Sequence, residues 1–203
     1  VDLFEVADVT SVPKTKNLEL ENFFKPRGPS KFCGILEKPV EEPSLNERLA
    51  SNQALVEAVA NHGTSVQDWE IHNTDRTVGA TLAGMIARKH GDHGFGGQIV
   101  LNFSGVAGQS FGAFNIQNVR LNLEGAANDY VGKGMSGGEI TIRSNLGGDF
   151  TDVLAGNTAL YGATGGRLFV QGRAGERFAV RNSRAVAVVE GTGDHTCEYM
   201  TGG

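Results

Sequence analysis

The sequence predicts a mainly β fold: a single-stranded right-handed β-helix, or solenoid, preceded by an N-terminal arm and capping helices. The first observation is glycine content, because 29 of the 203 residues are glycine, about twice the usual share of roughly 7%. The second is their distribution, with five before residue 91 and 24 from Gly91 onward. The third is a series of short alternating apolar segments that recur at nearly constant spacing. We therefore assign residues 98–203 to the solenoid.

Glycines of the second half mark a repeat of 19 to 20 residues. Gly105 and Gly125 each follow an alternating segment and lie 20 residues apart, and Gly172 and Gly191 do the same at a distance of 19. Stacking one coil on the next at about 4.8 Å pairs each strand with its counterpart one period later. The alternating segments cover residues 99–103, 119–123, 140–142, 168–170 and 186–189.

A second repeated feature separates these segments. A Ser-Gly-Gly or Thr-Gly-Gly sequence ends at Gly138, Gly166 and Gly203, and Asn-containing segments at 128–132 and 157–162 precede the first two. A barrel or a sandwich would show the same alternation, but only stacked coils need matched corners, so the pattern favours a solenoid. The last copy has no strand after it. Because an open coil end exposes unpaired strand groups, we expect a fragment whose final coils are missing or supplied by another chain.

Residues 1–43 read as an irregular, Pro-containing arm. The region from residue 1 to 45 holds all five prolines of the chain and several scattered phenylalanines, with no sustained period. Aromatic residues favour an extended arm that lies along another surface, and the alternative is a partly disordered tail.

The next segment predicts a helix over residues 44–61. Ser44, with Glu47 three residues further on, forms a capping box, and apolar residues follow at a spacing of about 3.6. His62 and Gly63 end the helix, with Gly63 expected in the left-handed conformation.

The rest of residues 44–97 is assigned to the same cap. Residues 69–71 alternate like a short strand, and residues 73–77 contain the Asn, Thr and Asp typical of turns and helix starts. Apolar residues over 78–90 then predict a second helix.

Composition excludes several classes of protein. The net charge of −5 gives no electrostatic support for nucleic-acid binding. The longest apolar run, residues 185–189, is far too short for a membrane span, and no secretory signal is recognisable at the start. Cys33 and Cys197 could pair, but two cysteines in a chain of this size fit reduced thiols better.

Four long stretches together resemble one known family. They are residues 71–79, 104–114, 125–138 and 193–203. They are similar to the C-terminal Gly-repeat (GXGXG) β-helix domain of the glutamate synthase large chain, and the likeness runs from about residue 44 to the end. A related coil occurs in one of the subunits of formylmethanofuran dehydrogenase, but the Asn-Thr-Asp-Arg sequence and the helix before it fit glutamate synthase better.

That resemblance implies part of a large oxidoreductase of ammonia assimilation, which makes two glutamates from glutamine and 2-oxoglutarate. It implies a structural and interdomain coupling role, with the glutaminase nucleophile, flavin mononucleotide (FMN) and iron–sulfur cluster in other domains. The implied partners are the other domains of the large chain, with a small subunit or ferredoxin acting through the full enzyme, and neither nucleic acid nor membrane. The implied location is the cytoplasm, or the plastid stroma in a photosynthetic eukaryote. The alternative is a stand-alone Gly-repeat subunit or binding module.

Candidate sites for chemistry have simpler interpretations. Gly105, Gly108 and Gly112 lack the Gly-x-Gly-x-x-Gly spacing, and Lys133 lies outside any Walker sequence, so corner glycines are favoured over a phosphate loop. Ser110 has no nucleophile-elbow context.

Two clusters contain metal-ligating residue types, and neither has a recognised zinc spacing with a second half. We expect surface-loop histidines and a packed cysteine instead. The clusters are His90, Asp92 and His93, and Asp194, His195, Cys197 and Glu198.

Remaining charged and nucleophilic candidates are Cys33 in the arm, Asp75–Arg76, and a run of arginines. Asp75–Arg76 is expected to be a helix cap with an ion pair, rather than a substrate clamp. The arginines, expected on the outer face, would dock an acidic neighbour or form a solvated surface. They are Arg167, Arg173, Arg177, Arg181 and Arg184. The sequence therefore predicts no catalytic, cofactor-binding or metal-binding residue in this chain.

Overall fold

The computed structural model describes residues 42–144 and 151–203. The predicted arm lies almost wholly outside these ranges, so its course stays a prediction. The elements, in chain order, are α1 (Leu45–Ser51), α2 (Gln53–Ala60), β1 (Thr64–Ile71), α3 (Ala80–His90), β2 (Gln98–Ala107), β3 (Val119–Ala127), β4 (Ser136–Arg143), β5 (Val153–Ala155), β6 (Gly165–Ala174) and β7 (Val186–Gly191).

All seven described strands belong to one sheet, and every pairing between them is parallel. Each strand pairs with its counterpart one coil away, so Leu121 lies between Leu101 and Ile140, and Ile140 pairs in turn with Leu168. Gly105 pairs with Gly125, as their spacing of 20 predicts. The prediction of a mainly β fold with stacked strands is confirmed. The sheet already begins at β1, inside the stretch that the sequence assigns to the cap.

One coil is longer than the predicted repeat. Strand β4 pairs with the first part of β3, and β5 pairs with its end at Ala127↔Ala155, residues 28 apart in the sequence. β4 and β5 therefore share the place of one strand, with the chain from Ser144 to Asp152 inserted between them. Gly172 and Gly191, predicted to be counterparts, are out of step by one residue, because a register shift in β6 pairs Gly191 with Arg173.

The core lies on the inner face of the sheet. Side chains of β2, β3, β4 and β6 alternate between buried and more exposed positions, as strands with one buried face require. Two inward columns run through the stack, and all their members are buried. The columns are Leu101, Leu121, Ile140 and Leu168, and Phe103, Leu123, Ile142 and Val170.

Helices cover the β1 end of the sheet and contribute to the same apolar core. The capping box is present, with Ser44 and Glu47 bonded in both directions. The prediction of one helix over residues 44–61 is wrong, because Asn52 has extended backbone and breaks it in two. The side chain of Asn52 accepts a hydrogen bond from the Leu55 N–H and so caps α2. None of the described helices is long and apolar enough to cross a membrane.

The end of α2 differs from the prediction by one residue. His62, rather than Gly63, has positive φ, at 52°. The Gly63 N–H donates to the Ala58 carbonyl at 2.8 Å, which makes this a Schellman motif with His62 at the left-handed position. His62 is fixed there because its Nδ1 accepts a hydrogen bond from the Gly96 N–H at 2.8 Å.

Truncating an inward side chain is expected to destabilise the stack. Leu121 is fully buried, so Leu121→Ala should lower the free energy of unfolding by about 2–5 kcal/mol through lost transfer free energy and a residual cavity. The neighbouring outward substitution Arg120→Ala is the control and should change it by less than about 0.5 kcal/mol. Urea unfolding followed by circular dichroism measures both, and equal effects would contradict the assignment of the inner face.

Stability should also depend on pH through the capping box. The Ser44 N–H donates to the Glu47 carboxylate and lowers the pKa of Glu47 below its ordinary value of 4.5. A lowered folded-state pKa means that this contribution is present above the unfolded pKa and is lost as pH falls through the folded value. The stability advantage of the wild type over Glu47→Gln, which cannot ionise, should therefore shrink below pH 4.5. Urea unfolding of both proteins over an acidic pH series tests this, and a difference that does not vary with pH would refute it.

Candidate functional site

A five-residue stretch with alternating backbone conformation follows β2, β3, β5, β6 and β7. Its first, third and fifth residues all have φ between 55° and 66°, in the left-handed region that is unfavourable for residues other than glycine. We call this stretch the corner motif. The corner motifs in the described ranges cover residues 110–114, 130–134, 158–162, 177–181 and 195–199.

The first coil contains the beginning of a sixth corner motif. Thr77 and Gly79 have positive φ, and α3 then replaces the rest of the motif. The Thr77 N–H donates to the Gln109 carbonyl at 2.8 Å, which joins this turn to the next coil. The predicted Asp75–Arg76 ion pair is absent from the described ion pairs, because the Asp75 carboxylate instead accepts from the His72 N–H at 2.8 Å. The sequence around Thr77 is therefore the first corner of the stack as well as a helix start.

Backbone hydrogen bonds tie the first four corner motifs to the coils on both sides, and the last one to the coil before it. The N–H of Tyr130, a first residue, donates forward to the Asn157 carbonyl of the next coil at 2.8 Å. The N–H of Gly132, a third residue, donates backward to the Phe111 carbonyl at 2.9 Å. Fifth residues donate forward like first residues. The alternating conformation thus lets a sharply curved segment keep its backbone groups paired within the stack.

Third residues of the first four corner motifs face the core. Gly112, Gly132, Leu160 and Ala179 hold this position in successive motifs, and all are buried. A Cβ added to Gly112 would strike the side chain of Ile140, and one added to Gly132 would lie 3.1 Å from Cδ2 of Leu160. Glycine therefore stands at the third position where the side chains of Ile140 and Leu160 fill the adjoining space.

First and fifth residues of the motifs form an outer surface, which we call the corner face. Phe114 is 58% exposed, Tyr130 40% and Tyr199 78%. These three are the aromatic residues among the exposed large apolar side chains of the described ranges, and all stand on the corner face. The other first and fifth residues are Ser110, Gly134, Thr158, Gly162, Arg177, Arg181 and His195, and of these Thr158 is buried.

Neighbouring groups hold these exposed rings in place. A Cβ on Gly134 would lie 2.9 Å from the Phe114 ring, so that ring lies against the glycine of the next coil. The Lys133 ammonium is 5.3 Å from the centroid of the Tyr130 ring, within cation–π range. The corner face therefore presents aromatic surface in fixed orientations.

The predicted outward arginines all point to solvent, and two of them belong to the corner face. The guanidinium of Arg181 lies 6.0 Å from the centroid of the Tyr199 ring, and Arg177 begins the same motif. Arg167 instead pairs with Glu139 at 3.0 Å on the outer face of the sheet. The exposed set is Arg167, Arg173, Arg177, Arg181 and Arg184.

The two predicted histidine clusters are engaged in other contacts. His90 Nε2 is 2.6 Å from the Val59 carbonyl, and its ring centroid is 4.2 Å from that of His62. His195 Nδ1 lies 2.8 Å from the Glu198 carboxylate. Within the described residues, no group of three or more His, Cys, Asp or Glu side chains is placed to hold a metal ion. The absence of a metal site from the whole chain stays a prediction.

Nucleophile candidates remain isolated. Ser110 opens a corner motif with φ of 63°, and the structure gives it no histidine partner among the described residues. Cys197 is exposed at the third position of the last motif, so the prediction of a packed cysteine is wrong. Cys33 lies outside the described residues, so the predicted reduced state of the two thiols stays a prediction.

A polar groove runs across the outer face of the sheet. Asn102 bridges Asp68 and Asn122, with both hydrogen bonds at 2.8 Å, and Arg143 pairs with Glu124 at 2.6 Å beside them. The groove has a volume of about 440 Å³. Its polar groups are bonded to one another along the stack, so they stabilise the register between coils rather than converge on a reacting atom.

Sequence reasoning missed the corner motif. Its one visible trace is the pair Gly132 and Gly134, two residues apart, because other coils place larger residues at the equivalent positions. A search for glycine alone therefore finds the repeat only in part.

Comparison with known proteins places this arrangement in context. The chain matches the GXGXG motif family over residues 47–203. It is 49% identical to ferredoxin-dependent glutamate synthase 2 of Synechocystis sp., 49% identical to ferredoxin-dependent glutamate synthase of Antithamnion sp., and 46% identical to the chloroplastic ferredoxin-dependent glutamate synthase of Spinacia oleracea. Each alignment covers 100% of this chain but only 13 or 14% of the relative. The chain thus spans a small part of the curated relatives that it matches.

The corner motif makes a matched pair of alanine substitutions informative. Gly112 and Gly162 have nearly equal φ, 66° and 61°, but a Cβ at Gly112 meets Ile140 whereas one at Gly162 meets open space. Gly162→Ala should cost about 1–2 kcal/mol for the left-handed conformation alone. Gly112→Ala should cost about 1–3 kcal/mol more through overpacking. Chemical denaturation of both variants checks this, and equal losses would show that the core does not press on the third position.

Proposed function

The chain belongs to the GXGXG motif family, and we propose that it is one segment of a ferredoxin-dependent glutamate synthase, where it serves as a non-catalytic structural and coupling domain. The observation that carries this proposal is the full-length alignment at 46 to 49% identity with synthases of which the chain forms only 13 or 14%. In this proposal the full enzyme converts glutamine and 2-oxoglutarate to two glutamates. This segment holds the other domains in fixed relative positions along the route by which ammonia passes between the active sites.

The proposed architecture is a single-stranded right-handed β-helix. Support comes from parallel pairing between successive coils throughout the described sheet. The corner motifs, of which the first four are bonded both forward and backward, give a second line of pairing on the opposite side of the core. In a scaffold of this kind a displacement of one coil moves the next one, because each coil is bonded to the coils beside it.

A non-catalytic role is supported by how the described residues use their side chains. The interior is filled by aliphatic and aromatic groups, including Leu121, Ile140 and Phe111. The charged groups that pair, such as Glu124 with Arg143, lie on the exposed side of the sheet. We place FMN, the iron–sulfur cluster and the glutaminase nucleophile in other parts of the enzyme.

Ferredoxin is the proposed electron donor, because the relatives carry it in their names. Names of plant relatives include the word chloroplastic, which supports a plastid location if the source is a photosynthetic eukaryote and a cytoplasmic one otherwise. The relatives reported above give no support to the alternative, a stand-alone binding module or a subunit like that of formylmethanofuran dehydrogenase.

A core substitution in the full-length synthase tests the coupling role. Ile140 is fully buried and contacts both the sheet and the corner wall, so Ile140→Ala should loosen the stack through a cavity. We expect the number of glutamates formed per glutamine hydrolysed to fall measurably below two, with one as its lower limit, because ammonia that escapes between active sites is not added to 2-oxoglutarate, while the FMN content stays that of the wild type. The outward Arg120→Ala is the matched control and should leave the ratio unchanged.

Two results would overturn this proposal. An unchanged ratio in Ile140→Ala, with the expected loss of thermal stability, would remove the coupling role. Loss of FMN in that variant, or measurable FMN binding by the 203-residue chain itself, would mean that the segment contributes to the cofactor site.

A further inference from the structure

We propose that the corner face is the surface through which this segment docks a carboxylate-bearing surface of another domain of the same enzyme. The inference rests on the proposed function, because it names the place where the coupling domain makes its contact. Phe114, Tyr130 and Tyr199 supply its apolar contact points. Arg181 supplies its charge, and Lys133, the fourth residue of its motif, adds a cation beside the Tyr130 ring.

The unfavourable backbone conformation of three exposed aromatic residues is the first observation behind this proposal. Large side chains are unfavourable at positive φ, yet Phe114, Tyr130 and Tyr199 all adopt it at 55° to 66°. Equivalent outer positions of other coils hold Gly134 and Gly162, so the corner itself does not require a side chain there. Retained strain at exposed positions points to a use beyond folding.

Exposure is the second observation. The rings are 40 to 78% exposed, although burial of an aromatic side chain is strongly favourable. Phe114 lies against Gly134, and the other two rings each have a cation close to their edge or face. Rings that are already held in one orientation lose little conformational entropy on binding, which suits them as contact points of an interface.

Charge indicates the chemistry of the partner. None of the ion pairs among the described residues involves Lys133, Arg177 or Arg181. Two of the acidic groups beside them are already bonded: the Asp129 carboxylate accepts from the backbone of the next coil, and Glu198 pairs with His195. Glu176 stands exposed next to Arg177 in the chain, outside the described ion pairs. Lys133 and Arg181 are thus free to meet carboxylates, and arginine does so in bidentate geometry.

The extent of the face suits a domain contact. Phe114 and Tyr199 lie in coils four steps apart, which at about 4.8 Å per step separates them by about 19 Å. A surface of this length spans much of a standard protein interface of about 800 Å² per partner.

Hydroxyl-radical footprinting tests the proposal without any substitution. The rings of Phe114, Tyr130 and Tyr199 should be oxidised readily in the 203-residue chain and at least about fivefold more slowly in the full-length synthase. Val66, which is 62% exposed on the outer face of β1, is the internal control and should react at the same rate in both. Equal reactivity of the three rings in both proteins would overturn the proposal.

Glycine substitutions supply a second test that separates docking from folding. In the 203-residue chain, the triple variant Phe114→Gly, Tyr130→Gly and Tyr199→Gly should keep or raise the melting temperature, because the left-handed conformation becomes relaxed. In the full-length synthase the same variant should raise the rate of proteolysis between domains by at least about fivefold. A lowered melting temperature, or proteolysis at the wild-type rate, would instead assign the rings to folding or to the solvated surface.

Two further outcomes are distinguishable. If the 203-residue chain forms dimers in sedimentation analysis that the triple glycine variant abolishes, the face joins two copies of this chain and the proposal fails. If the rings are protected in the full-length synthase but Ile140→Ala leaves the glutamate-to-glutamine ratio unchanged, docking stands and the coupling role alone is lost.

Discussion

The parallel pairing of each coil with the next one is the constraint on which the rest of the structure depends. It fixes the inward columns, since Leu101, Leu121, Ile140 and Leu168 can share a column only when successive strands stay in register. Because side chains alternate with a period of two, a slip of one residue would turn this whole column to solvent. Outer hydrogen bonds such as that from Asn122 to Asn102 reinforce the same register.

This constraint has its energetic cost in the backbone of the corner motifs. A chain that must turn in every coil and still pair its backbone groups adopts alternating left-handed residues, and much of that strain falls on residues other than glycine. In the core, the missing side chain of Gly132 leaves room for Leu160, which holds the third position in the next coil. Outside, the same geometry projects Tyr130 and Tyr199 into solvent in fixed directions. One local conformation thus serves the scaffold and shapes its outer surface.

Several failures of sequence reasoning have a common cause. A single helix was expected over residues 44–61, but it breaks at Asn52, whose side chain caps α2 and is held in place by a hydrogen bond from Gln67 on β1. Left-handed backbone was expected at Gly63 and occurs at His62, which is held by a hydrogen bond from Gly96 far along the chain. Local propensity cannot register such contacts, because they form only when distant segments meet. The long coil is a further case, since β4 and β5 complete one strand only in three dimensions.

The sequence by itself determined the mainly β class, the spacing of 19 to 20 residues in the coils that carry no insertion, and the capping box at Ser44, because alternation and capping depend on residues close together in the chain. It also contained the long continuous stretches of residues that resemble glutamate synthases. Only the tertiary structure decided which residues take the left-handed positions, because pairing between coils, rather than the identity of the residue, imposes that conformation on Phe114, Leu160 and Arg181. For the same reason the exposed rings could be recognised as one surface only after the coils were stacked.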